Sequence, residues 1–269
     1  MGQSDADVAI EAAEAGAAVV AASYGREHLR FAKSATDFAT QTDLDAEQAI
    51  TAVLSARRPD DAREGEELGR SGPAATARRW LIDPLCGTLN FAATTPLMAV
   101  NVALLDGGRT IAAASADPIA RETFWTDGMS ASVRRAGDDH PLTPSGLTGL
   151  VEINADRPTG AASVSAQLVT DVAFRAQFSP RVLSSTLGVA WVAAGRRAAY
   201  VTDGELRDDL HFAAGLALAE AAGCLVTDLY GAPLGTSDGA VISASVEVHT
   251  AILGYLVPHI ESLRGPIGS

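Results

Sequence analysis

The stretch Trp80-Leu81-Ile82-Asp83-Pro84-Leu85-Cys86-Gly87-Thr88-Leu89-Asn90-Phe91 is the most informative part of the chain. Its first three residues form a short apolar run of the buried-strand type, which Asp83-Pro84 ends. A carboxylate at the end of a buried strand points out of the sheet edge, where ligands bind in α/β folds. Gly87 and Thr88 then open a predicted helix whose N–H groups face the same spot and suit a phosphate. Upstream, Glu64-Gly65-Glu66-Glu67 and Thr40-Gln41-Thr42-Asp43 supply further carboxylates. A Gly-Glu-Glu run alone is ordinarily a solvated loop. Acids that converge with a helix N-terminus instead suit hard cations bridging to a phosphate.

Outward from this segment, residues 5–31 read as one or two Ala-rich helices and 45–56 as an amphipathic helix. Residues 33–43 read as a polar turn or hairpin, and 57–77 as a charged, Gly-rich loop. Strands follow at 97–105, 110–116 and 123–126, separated by Asp-Gly-Gly and Asp-Pro turn signals. Residues 138–145 are polar, carry two prolines and mark a boundary. Beyond it, strand-like segments at 150–154, 199–202 and 224–227 alternate with helical ones at 161–173, 185–194, 211–222 and 246–256. This order predicts layered α/β sheets in two lobes. The expected division is an N-terminal α+β lobe over residues 1–145, a C-terminal α/β lobe over 146–264, and a tail at 265–269.

The 269 residues suit one large or two small domains, and 47% hydrophobic content supplies a core that disordered chains lack. Asp and Glu number 33 against 20 Lys and Arg, a net charge of −13. That balance argues against binding nucleic acid through its phosphates and against docking on an anionic membrane. Small anionic substrates stay open, because backbone N–H groups or cations can hold them. Two cysteines, Cys86 and Cys224, make no disulfide scaffold. The acidic start lacks a signal peptide's basic and apolar regions, and no run of 18 apolar residues occurs. The expected location is the cytoplasm.

Taken together, the motifs resemble the inositol monophosphatase family, the Mg-dependent, lithium-sensitive phosphatases related to fructose bisphosphatases. The resemblance runs through nearly the whole chain. Gly65-Glu66-Glu67 is similar to the family's Gly-Glu-Glu, and residues 80–91 to its Trp-x-Ile-Asp-Pro-Ile-Asp-Gly-Thr-x-Asn-Phe. Thr42-Asp43 resembles the Thr-Asp before the second helix, with Lys33 at the usual distance upstream. Residues 184–195 resemble a helix motif ending Ala-Tyr-Val-Ala-x-Gly. His211-Phe212-Ala213-Ala214-Gly215 resembles Trp-Asp-x-Ala-Ala-Gly, and Thr227-Asp228 a downstream Thr-Asp. The fold this implies is a layered αβαβα sandwich of the inositol monophosphatase and fructose bisphosphatase type.

Residue by residue, the resemblance implies that Glu66, Asp83 and the Leu85 carbonyl bind one Mg²⁺. Glu66 and Thr88 would orient the attacking water, and Asp43 would support a more mobile metal position. Gly87 and Thr88 would hold the phosphate, and Ser184 and Glu205 the rest of the substrate. A homodimer is implied as well. Two departures bear on the chemistry. Cys86 stands where the family has an acid for the second metal, and the gap-free register puts His211 where it has another. A two-residue shift would put Asp209 there instead. The leading expectation is hydrolysis of a small phosphomonoester (a cyclitol, sugar or nucleotide phosphate) with at most one Mg²⁺. One alternative is a softer ion held by Asp83, Cys86 and His211. Another is a metal-independent enzyme of a specialised pathway, with a Cys86 thiol activated by His211. A third is a non-catalytic binding homologue.

Overall fold

The computed structural model describes residues 2–26, 29–33, 38–74, 76–156, 163–204, 206 and 209–264; Glu205 and the expected tail lie outside them. The elements run α1 (Asp5–Ser23), β1 (Arg30–Ala32), β2 (Phe38–Thr40), α2 (Gln41–Arg57), β3 (Ala62–Gly65), β4 (Gly69–Ser71), β5 (Arg78–Cys86) and α3 (Thr88–Ala92). Next come β6 (Ala99–Asp106), β7 (Arg109–Asp117), β8 (Glu122–Thr126), β9 (Ala131–Arg135), β10 (Asp138–Pro141) and β11 (Leu150–Asn154). They continue α4 (Val164–Gln167), α5 (Val172–Gln177), β12 (Ser179–Val182), α6 (Leu187–Ala193), β13 (Ala199–Thr202), α7 (Ala213–Ala222), β14 (Leu225–Thr227), β15 (Ala240–Ser243) and α8 (Val246–Arg264).

The chain forms two compact units. The first comprises Met1–Pro141, Ser185–Leu187 and Leu210–Ala221; the second comprises Leu142–Ser184, Gly188–Asp209 and Ala222–Ser269. The sequence reading gives the His211 segment to the C-terminal lobe. In the structure it groups with the first unit, because its helix has an apolar sheet face to cover there.

In the first unit, eight strands run in the order β10-β9-β8-β7-β6-β5-β3-β4. Neighbours are antiparallel except β3 and β5, which are parallel. Side chains alternate between the two faces of a strand. Trp80, Ile82, Val102, Leu104, Ala112 and Ala114 form one core with Val8, Ile10 and Val20 of α1 and Ile50 and Leu54 of α2. Leu81, Ala103 and Ala113 form another, under Ala214 and Ala217 of α7. Small residues on β6, β7 and α7 let helix and sheet approach closely.

The second unit holds a five-stranded sheet, β12-β11-β13-β15-β14. Val151, Ile153, Val201 and Val241 pack with Leu168, Phe174, Ile252 and Leu256 from its helical segments. Buried Asp228 closes the loop after β14 by accepting from the N–H groups of Tyr230 and Ala232, both at 2.8 Å.

Several expectations need correction. The charged run 57–77 contains β3 and β4, which are short strands without an apolar stripe. The strand at 80–82 is the middle of a nine-residue strand. It runs through Pro84 because the pairing with β6 slips between Asp83 and Cys86, which spares the missing N–H. The polar stretch at 138–145 supplies the exposed edge strand β10. No helix among the described residues is long and apolar enough to cross a membrane.

Candidate active site

The face of the first sheet that carries α7 changes from apolar to polar within one strand step. Leu81, Ala103 and Ala113 lie in register, and one step on so do Asp83, Asn101 and Ser115. All three of the latter are buried. Ser115 Oγ donates to Asn101 Oδ1 at 2.7 Å, and Asn101 Nδ2 donates to Thr186 Oγ1 at 2.8 Å. The same amide group lies 3.4 Å from Asp83 Oδ2 and 3.5 Å from the His211 carbonyl. Asn101 thus ties Asp83 to the segment that enters α7.

His211 Nδ1 is 2.8 Å from Asp83 Oδ2 and 3.9 Å from Glu66 Oε2. An ionised carboxylate only accepts, so the proton sits on Nδ1. His211 thus stands beside Asp83. Asp83 is fully buried, while the His211 side chain is 40% exposed and opens the cluster to solvent. Asp83 Oδ1 takes the Leu85 N–H at 3.2 Å.

Glu66 follows directly on the strand parallel to β5, so both acids stand toward the carboxyl ends of neighbouring parallel strands. Its N–H donates to the Ile82 carbonyl at 3.1 Å, which extends the pairing past Gly65. Buried Glu47 of α2 shapes the turn by accepting from the N–H groups of Glu67 at 2.7 Å and Leu68 at 2.9 Å. A Cβ on Gly65 would lie 1.8 Å from Glu47 Oε1, so any larger residue there must displace that carboxylate. Lys33 Nζ donates to Glu66 Oε1 at 2.7 Å and also to Glu67. Burial, then the Asp83 charge, push the Glu66 carboxyl up to about 7, against the pull of His211 and Lys33. Burial likewise raises Glu47 and Asp43.

The turn from β5 into α3 depends on Gly87, whose φ of 103° is left-handed. It places the Thr88 hydroxyl 3.0 Å from Asp43 Oδ1 and 3.1 Å from the Leu85 carbonyl. Asp43, at the start of α2, also accepts the Thr40 N–H at 2.8 Å. A hydroxyl has one proton for these two acceptors. Thr88 is thus anchored from two sides, with its own lone pairs available to a donor.

Cys86 is held by the segment that leads into α6. Its Sγ accepts the Thr186 N–H at 3.3 Å. Burial and the neighbouring Asp83 charge push the thiol well above its ordinary value. The three donors that converge among the described residues are Glu66, Asp83 and His211. The set read from sequence as Asp83, Cys86 and His211 is corrected in that one member, because the thiol is turned to Thr186. Ser184 falls in the second unit, where its hydroxyl donates to Asp156. Cys224 is pushed up to about 12 by burial alone.

Sequence reasoning missed Glu47, Asn101, Ser115 and Thr186. Asn101 and Ser115 had a readable signal: each interrupts an apolar strand at the same register step as Asp83.

Two carboxylates and an imidazole, beside an anchored threonine hydroxyl, form a group that could hold a metal ion. Comparison with known proteins identifies the family. The model of the inositol monophosphatase family matches residues 2–262, and the chain belongs to that family. A probable inositol 1-monophosphatase of Mycobacterium tuberculosis is 30% identical over 236 residues, 83% of each chain. A Nus factor SuhB of Pasteurella multocida is 31% identical over 262 residues, 94% of this chain and 95% of that one. The Thermotoga maritima IMPase superposes with a TM-score of 0.80 at 21% identity, covering 96% of this chain and 98% of that one. The suhB protein of Bartonella henselae gives 0.82 at 24%, covering 93% and 97%. The fold is therefore the α/β sandwich of this metal-dependent phosphatase family.

Proposed function

We propose that the chain hydrolyses a small phosphomonoester, a cyclitol, sugar or nucleotide phosphate, with one divalent cation. The observation that carries this is the convergence of Glu66, Asp83 and His211 within 4.8 Å, beside the anchored Thr88 hydroxyl. The donor set fits a cation: two carboxylates, one of them fully buried, face a single imidazole. Glu66, Asp83 and the Leu85 carbonyl are the residues that would hold it, at the Mg²⁺ position the family resemblance implies. Such an ion supplies charge that activates water and neutralises phosphate oxygens.

The chain's own groups do the positioning. Thr88, with its proton directed to Asp43 or the Leu85 carbonyl, accepts a hydrogen bond from the attacking water. Glu66, beside Asp83 and His211, orients the attacking water together with Thr88. Gly87 and Thr88 hold the phosphate, and Asp43 keeps Thr88 in place. His211 donates to Asp83 where relatives of this family carry an acid. Losing a second cation removes several kcal/mol of transition-state stabilisation, so turnover is about a thousandfold below that of a two-cation relative. The proposed assembly is a homodimer, which light scattering checks.

The test is release of inorganic phosphate from a panel of small phosphomonoesters. Chelator-stripped protein should be inert and regain activity with a divalent ion. Asp83→Asn should lose roughly a thousandfold under the same conditions. Ligand binding without turnover under any ion would make the chain a binding homologue and end the hydrolase reading.

A further inference from the structure

We propose that Glu66, Asp83 and His211 form a mixed nitrogen-and-oxygen site that selects a borderline transition ion, Zn²⁺ or Co²⁺, over Mg²⁺. This rests on the metal-dependent reading above and goes further, to which ion the centre takes. Substituting imidazole for a carboxylate changes the chemistry of the donor set. Mg²⁺ demands oxygen ligands and keeps its waters, whereas Zn²⁺ and Co²⁺ accept imidazole readily.

Each of the three residues offers one ligand atom, and these atoms lie within 4.8 Å of one another. Neighbouring ligand atoms with metal bonds of about 2.0–2.1 Å lie about 2.9 Å apart in an octahedron and about 3.3 Å in a tetrahedron. Asp83 Oδ2, 2.8 Å from His211 Nδ1, already stands near the octahedral spacing, and Glu66 Oε2, at 3.9 Å, would move closer on binding. Each acid has its other oxygen tied back. Asp83 Oδ1 takes the Leu85 N–H, and Glu66 Oε1 takes the Lys33 ammonium. Oδ2 and Oε2 are thereby turned toward the imidazole, the kind of outer support that orients metal ligands. Asn101 holds the His211 carbonyl and steadies the ring's backbone. Glu66, Glu67 and Asp83 gather three carboxyl groups around Lys33 and His211. On binding, the ion replaces the Nδ1 proton, which passes to Nε2 or to solvent.

The test is calorimetric titration of the chelator-stripped full chain with Zn²⁺, Co²⁺ and Mg²⁺. Native protein should bind one Zn²⁺ or Co²⁺ per chain, far more tightly than Mg²⁺. His211→Ala should weaken Zn²⁺ and Co²⁺ about tenfold or more, and should shift the visible spectrum of the Co²⁺ form. His211→Asp, which restores an oxygen-only set, should narrow the Zn²⁺-to-Mg²⁺ preference by about tenfold or more. Cys86→Ser should leave both affinities nearly unchanged. Circular dichroism checks folding, and His211→Asp carries the test if His211→Ala unfolds. Equal native affinity for Mg²⁺ and Zn²⁺, or Zn²⁺ binding insensitive to both His211 variants, would overturn the proposal. Because no turnover is measured, tight Zn²⁺ binding in a protein that releases no phosphate would defeat the hydrolase reading and leave this one standing.

Discussion

Glu66 is pulled in two directions, and its protonation records which side prevails. Burial and the Asp83 charge raise its carboxyl from 4.5 to about 7, although Lys33 donates to it. In the unfolded chain the same group gives up its proton near 4.5. Between about 4.5 and about 7 the folded, metal-free protein therefore binds more protons than the unfolded one, and its stability falls as pH rises. The predicted loss across that window is roughly 3 kcal/mol, read by urea unfolding at successive pH values. Glu66→Gln should flatten that slope. The role of this residue was legible as one acid of a Gly-Glu-Glu run. Its raised carboxyl was not, because burial comes from elements distant in sequence. Cys86 shows the same limit: its place in the site was readable, but its turn toward Thr186 depends on a contact with a segment 100 residues away.

At the scale of elements, the connection from β3 to β4 decides where Glu66 stands. Glu47 of α2 fills the space against Gly65 and holds the next two N–H groups. Gly65→Ala must move a buried carboxylate, so it should cost about 1–3 kcal/mol by thermal or denaturant unfolding and lower activity together with stability. Unchanged stability would mean that the turn is looser than described. Sequence patterning found β5, β6, β7 and α7, whose apolar alternation is long. It missed β3, β4 and β10, because short charged strands carry no stripe for alternation to reveal. It also left α7 in the other lobe, because nothing local tells a helix which sheet it will cover. Its small residues, Ala214 and Ala217, make sense only against Leu81, Ala103 and Ala113.

At the scale of the whole molecule, the family and the fold were readable because several motifs stand in order along the chain. The excess of acid, −13, fits a protein that gathers carboxylates around a cation better than one that grips polyanions. What the ordered motifs left open was whether their two departures act together. The structure separates them: His211 joins Glu66 and Asp83, while Cys86 bonds to Thr186. The most direct test that these three residues form one reaction centre is a double-mutant cycle on phosphate release. Asp83→Asn, His211→Ala and the double variant are compared by kcat/KM with a divalent ion present. Groups that act as a unit are strongly non-additive, so the double variant should be about as impaired as the worse single one. Losses that multiply independently, or a His211→Ala variant with unimpaired kcat/KM, would contradict the account.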